Sequence, residues 1–187
     1  MKKILILALL FMGCSTYSTN QLPIEYFENA SLPKNCKWNT DRYVDDFGDR
    51  TGGKYMKGIW SGYFSNSATT NSDLNVKFII DTNIVRIQLF EYGRNHPKKG
   101  GQYTPALNIT YKFNDVVKKL KGSLSSNGYM KITNPSSIID LLKTFQIADK
   151  YNKEIKFNIV GEYSDRYRFT INPNCFNYYY GELIGIR

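Results

Sequence analysis

Three carboxylates crowd one turn in "VDDFGDRTGGK", where Asp45, Asp46 and Asp49 flank Gly48. Hard cations such as Ca²⁺ take ligands of this type, so these are the first candidates for a metal site. An EF-hand loop needs alternating acidic positions before its glycine and a glutamate at the twelfth, and neither is present. The competing reading, which we prefer, is a capped, solvated turn that sets Phe47 against the core. His96 is the single histidine, too few for a three-histidine zinc centre, and in "RNHPKKGG" it sits in a proline- and glycine-rich loop among cations. No G-x-S-x-G, H-E-x-x-H or phosphate-cradling glycine loop occurs, and "DFG" stands without the other kinase motifs. Paired carboxylates for glycoside hydrolysis remain open, because their separation is a property of the fold. The sequence therefore names no catalytic residue and no cofactor. "SNSATTNS", residues 65–72, offers hydroxyls and amides to a sugar, although such residues more often close a hairpin through side-chain-to-backbone hydrogen bonds.

The cysteines say more about address than about catalysis. Lys2 and Lys3 precede an unbroken apolar run from Ile4 to Met12, less than half of the roughly 20 residues that span a bilayer, so the segment reads as a secretory leader. The run ends in Gly13-Cys14. This resembles the bacterial lipoprotein signal, which implies cleavage after residue 13 and acylation of Cys14, with Phe11 where that signal usually has leucine. Two or three acyl chains hold a protein stably, since each buried CH₂ contributes about 0.8 kcal/mol. Ser15 follows the anchor where aspartate would resemble inner-membrane retention, so the outer membrane is the expected location.

Cys36 and Cys175 are then left as an even pair in a disulfide-permitting compartment, and a bond between them is expected; two buried free thiols are the alternative. Residues 14–34 are rich in Ser, Thr and Asn and lack a lasting apolar period, which reads as a tether. Residues 35–187 are of ordinary single-domain size.

Strand-like alternation dominates from residue 59 onward. "LNVKFII" and "IVRIQLFEY" each alternate apolar and polar positions, and six further segments, near 59–65, 104–113, 117–124, 129–133, 154–160 and 167–172, are bounded by turn residues. About eight such strands predict an all-β or β-rich α+β domain, an antiparallel β-sandwich or barrel. One stretch breaks the pattern. Ile138, Leu141, Leu142 and Phe145 recur at helical spacing, which predicts a packing helix over about 136–150 with Ser136 or Ser137 as N-cap. A second short helix after Pro173 would align Phe176, Tyr179, Tyr180 and Leu183.

The run from Val44 to Phe78, with "LFEYG" at 89–93, resembles a group of short uncharacterised exported bacterial proteins sharing a VDDFGD, FSNSATTNS and EYG pattern. The resemblance implies a domain boundary and carries no activity. Lys and Arg total 25 against 16 Asp and Glu, a net charge of +9, and the excess survives loss of Lys2 and Lys3. A positive envelope protein favours anionic headgroups, acidic polymers or glycans over nucleic acid. "YKFNDVVKKLKG" and "SDRYRF" are local cation clusters. The 15 tyrosines, Tyr178 to Tyr180 among them, read as cross-strand packing, with carbohydrate stacking as the alternative. The expected role is a non-enzymatic, membrane-anchored binding or interaction module; the alternatives are a hydrolase acting on a wall or surface polymer and an inhibitor lipoprotein.

Overall fold

The computed structural model describes residues 35–82, 84–93, 106–125, 129–161 and 165–186. Their order is β1 (Trp38–Val44), β2 (Arg50–Ser65), β3 (Ser72–Ile80), β4 (Val85–Glu91), β5 (Ala106–Phe113), β6 (Val116–Leu124), β7 (Tyr129–Ile132), α1 (Pro135–Lys150), β8 (Ile155–Val160), β9 (Arg166–Ile171) and α2 (Phe176–Leu183). Every strand pairing is antiparallel, in the order β2-β3-β4-β7-β6-β5-β8-β9, and β9 returns to β2, so eight strands close into a barrel. Closure removes the exposed edges that an open sheet would present for aggregation.

The ninth strand, β1, has no counterpart in the sequence reading. It pairs with the first half of β2, from Trp38 opposite Gly58 to Val44 opposite Arg50, whereas β9 occupies the second half of the same edge, from Gly62 opposite Phe169 to Ser65 opposite Arg166. Two glycines permit this. A Cβ on Gly62 would collide with the Arg168 carbonyl, and one on Gly58 would collide with the Trp60 ring and come within 3.0 Å of Trp38.

Strand alternation fills the interior rather than leaving a channel. Leu74, Val76, Phe78 and Ile80 of β3 face inward with Val85, Ile87 and Leu89 of β4, and Ile155, Phe157 and Ile159 of β8 face them with Tyr167, Phe169 and Ile171 of β9. Helix α1 lays Ile138, Leu141, Leu142, Phe145 and Ala148 on this core. Phe145 meets the rings of Trp38, Phe78, Phe157 and Phe176, with centroids 5.1–6.4 Å apart. One ring thus joins β1, β3, β8 and α2.

The helix departs from expectation in detail. Its N-cap is Asn134, whose side chain accepts from the Ser137 amide at 3.0 Å, with Pro135 at the first helical position, where its missing N–H costs nothing. Thr144, a polar residue beside the apolar face, is buried and bonds back to the Asp140 carbonyl at 2.8 Å. Helix α2 does form after Pro173. Its first turn has no side-chain cap of its own, and the Asp149 carboxylate of α1 accepts the amides of Cys175 and Asn177 at 2.9 and 2.7 Å. Burial pushes the Asp149 carboxyl up although both amide bonds favour its charged form.

Cys36 and Cys175 are disulfide-bonded across 139 residues, with Cα atoms 5.6 Å apart. The bond fastens the start of β1 to the start of α2, and a closed loop of this length restricts the unfolded chain strongly.

Candidate binding cleft

The most distinctive chemistry among the described residues lies outside the barrel, where β1 and the adjoining half of β2 meet the outer faces of β3, β4 and β7. A cleft of about 690 Å³ opens there, lined by Arg42, Arg50, Lys77, Arg86 and Lys131, three tyrosines, Tyr43, Tyr55 and Tyr129, and the single carboxylate of Asp41. Strand register assembles it. Asp41 stands opposite Tyr55, and Ile79 stands opposite Arg86, which in turn stands opposite Lys131. Inward neighbours hold the core, so these alternate positions must point outward.

Two of the side-chain groups are fixed. Tyr43 donates its hydroxyl hydrogen to Asp81 at 2.9 Å, and Arg86 donates to both the Tyr43 oxygen at 3.0 Å and Asp81 at 2.9 Å. Burial works against the Arg86 charge, and its bonds to Tyr43 and Asp81 outweigh that, leaving its pKa raised; burial also pushes the Tyr43 phenol up. Lys57 bonds Asp41 at 2.7 Å, which lowers the Asp41 pKa, and its ammonium lies 5.8 Å from the Tyr55 ring centre. The rings of Tyr43 and Tyr55 are 4.8 Å apart.

Arg42, Arg50, Lys77 and Lys131 make no salt bridge among the described residues. Lys77 is half-buried, and burial, reinforced by the like charge of Lys57, lowers its pKa. The buried Ser125 hydroxyl beside the cleft also lacks a partner among the described residues. Arg42, Arg50 and Lys131 are exposed, Lys77 is half-buried, and all four stand near tyrosine rings without a salt bridge among the described residues; chemically, such a grouping suits an anion, and most strongly where water is partly removed, as at Lys77.

The sequence-derived candidates lie elsewhere. Asp45, Asp46 and Asp49 form the tip of the β1–β2 hairpin. The Asp45 carboxylate accepts the amides of Phe47 and Asp49 at 3.0 and 2.9 Å, so it is occupied in holding the turn. Phe47 corrects the expectation: it is 92% exposed at that tip, because the hairpin extends beyond the barrel and has no core beneath it. Among the described residues no three His, Cys, Asp or Glu side chains converge as metal ligands. Residues 65–72 close the β2–β3 hairpin, where Asn66 accepts from Ala68 and Thr69, Ser65 accepts from the Asn71 amide, and Thr69 and Ser72 share a hydrogen bond. Tyr179 and Tyr180 pack on the core as expected of structural tyrosines, but from α2 rather than as cross-strand pairs. Within "LFEYG", Glu91 accepts from Tyr167 at 2.8 Å and burial raises its pKa, a contact inside the fold rather than at the cleft. Cys14 and His96 fall outside the described residues.

Sequence reasoning missed every cationic and aromatic member of the cleft. They are scattered from Arg42 to Lys131, and the available signal was only that polar, cationic and tyrosine residues occupy the outward positions of strands whose inward positions are apolar.

No family model matches the chain, and no solved structure matches it. A probable TonB-dependent siderophore receptor of Acinetobacter baumannii is 29% identical over 133 residues, covering 60% of this chain and 17% of the receptor. The chain therefore corresponds to about one sixth of that relative's length.

Proposed function

We propose that the chain is an exported bacterial envelope protein, anchored through acylated Cys14, whose barrel binds an anionic glycan or polymer without transforming it. The observation that carries this reading is the cleft between β1 and the β2–β3–β4–β7 wall, where four cations without carboxylate partners among the described residues stand beside tyrosine rings. Arginine forks engage carboxylate or phosphate groups, and tyrosine offers a flat apolar surface with a polar tip. The filled barrel interior supports a surface site over an enclosed one, and the cleft brings together cations rather than an acid, base or nucleophile set. The leader and Gly13-Cys14, the disulfide, and similarity to part of a siderophore receptor fit an envelope address.

Titration calorimetry with tetragalacturonate as anionic probe and maltotetraose as neutral control tests the reading. Heat of binding is expected for the uronate alone, and Arg50→Glu with Lys77→Met is expected to abolish it. Equal responses to both sugars, or uronate binding untouched by the two substitutions, would remove the cleft from the account. Fatty-acid labelling that marks the wild type and spares Cys14→Ser tests the anchor separately.

A further inference from the structure

A second cationic surface lies on the opposite side of the barrel. In the closed order β2-β3-β4-β7-β6-β5-β8-β9, strands β5 and β8 stand half a circuit from β3 and β4, so the surface they carry faces away from the cleft. Cross-strand register aligns its outward residues in three rungs. Lys112 of β5 stands opposite Lys156 of β8 and Val117 of β6; Thr110 lies between Lys119 and Asn158, which leads on to Arg168; and Asn108 lies between Lys121 and Val160, which leads on to Arg166. No rung contains a carboxylate. All six cations are exposed, and only Lys112 has a salt-bridge partner among the described residues, Asp115 at 2.7 Å in the adjoining turn.

The wall ends in a hairpin whose turn is polar, with the Asp115 carboxylate held by Lys112, and whose next two residues are apolar. Asn114 and Asp115 both adopt positive φ, 45° and 65°, the backbone of a tight two-residue hairpin turn. Directly after it Val116 and Val117 are 56% and 59% exposed, followed by Lys118, Lys119 and Lys121. Exposed valines at a hairpin tip bordered by lysines suit the boundary of a bilayer, where apolar side chains enter the acyl edge and ammonium groups remain with the headgroups.

We propose that the β6–β5–β8–β9 wall docks on a membrane surface of anionic lipid headgroups, which meet the cations around its shallow cavity of about 630 Å³, with Val116 and Val117 at its leading edge. The proposal rests on the envelope location above and not on the acylation of Cys14. Each cation close to an anionic leaflet strengthens association about fivefold, and together they orient the barrel so that the cleft faces outward, toward its ligand. A mixed-charge face would cancel such attraction, which is why the absence of carboxylates from all three rungs matters.

Lysine acetylation of the full chain on vesicles, read by mass spectrometry, tests the orientation. On vesicles containing phosphatidylglycerol, labelling of Lys119, Lys121 and Lys156 is expected to be lost while Lys131 on the cleft side still reacts. On phosphatidylcholine alone, or at high salt, the three lysines should react as Lys131 does. Combined Lys119→Glu, Lys156→Glu and Arg168→Glu should restore labelling of Lys121 on the anionic vesicles. Association with phosphatidylcholine reports the anchor, whereas the difference between lipids reports the wall, so failure of one is separable from failure of the other. Equal labelling of all four lysines on both lipids would overturn the proposal, as would protection of Lys131 in place of the wall. Protection on phosphatidylcholine brought about by soluble polygalacturonate, with none from phosphatidylglycerol, would likewise overturn it and assign the wall to a polymer.

Discussion

The barrel carries cations on two opposed walls, and the two are built differently. On the cleft side they sit among tyrosines, with Arg86 and Lys57 held by Asp81 and Asp41 and with Lys77 half-buried. On the β5–β8 side they stand exposed along the cross-strand rungs, and only Lys112 is paired among the described residues. Charge alone does not make a specific site. On the cleft side, half-burial of Lys77 and the fixed positions of Arg86 and Lys57 set the geometry that a ligand would meet, whereas an exposed array acts through its summed field and is screened by salt.

Deleting what both walls share should have the largest effect. Phe145 supports β1, β3, β8 and α2, and Phe145→Ala is expected to cost about 3–5 kcal/mol in chemical denaturation. Uronate binding and wall protection should then be lost at the same denaturant concentration. Loss of one well before the other would show that the walls do not share a core.

The disulfide should separate them. Cys36→Ser with Cys175→Ser is expected to cost about 2–5 kcal/mol, and it frees β1, which contributes Asp41, Arg42 and Tyr43 to the cleft and nothing to the wall. Calorimetry should register weaker uronate binding under conditions where the β5–β8 lysines remain protected on anionic vesicles. Equal damage to both would erase the distinction.

A smaller effect follows from Arg86→Met, which leaves Asp81 and the Tyr43 hydroxyl without their charged donor. Hydrogen bonds to charged groups contribute about 1.5–3 kcal/mol, and both ionic partners here are mostly shielded from water, at 22% and 16% exposure. Thermal melting gives the cost, and uronate titration shows whether Tyr43 has moved. An unchanged melt would place this contact with ordinary surface ion pairs.

Titration of Lys77 sharpens the contrast further. Its pKa in the folded chain lies below 10.5, so between the two values the unfolded state binds more protons and stability rises with pH; at neutral pH the penalty of burying the charge is fully present. A bound anion favours the charged form. Uronate affinity should therefore be complete below the lowered pKa and fall as pH climbs through it, and Lys77→Met should flatten that part of the profile. A profile identical in wild type and variant would exclude Lys77 from contact with the ligand.

The hairpin tip should give the smallest effect. With Asp45 engaged by its own turn, millimolar Ca²⁺ is expected to leave the melting temperature unchanged in wild type and in Asp46→Asn, whereas occupancy at 100 times Kd would add about 2.7 kcal/mol. A calcium-dependent rise abolished by Asp46→Asn would make the tip a third charged region with a function of its own.

Eight strands and a packing helix were legible in the sequence because each has one buried face, and burial writes a period of two or of 3.6 into neighbouring residues. The Cys36–Cys175 pairing was legible by elimination, given the reading of Cys14. Strand β1 was not, because "WNTDRYV" buries only Trp38 and lies outside the closed barrel, so no alternation marks it. Sandwich and barrel could not be told apart either. Closure depends on Gly62 admitting β9 against β2, a contact between residues more than a hundred positions apart that leaves no local period. The same limit hid both charged regions. "KKLK" and "RYR" were visible as clusters, but the β6–β5–β8–β9 register is what sets Lys119, Arg168 and their neighbours on one face, and the cleft draws on five strands. The sequence by itself determined the faces of individual strands and helices, since burial acts residue by residue along each of them. Only the tertiary structure decided which outward faces became neighbours, because that follows from strand order and register, where partners distant in the chain meet through backbone hydrogen bonds that any residue but proline can make.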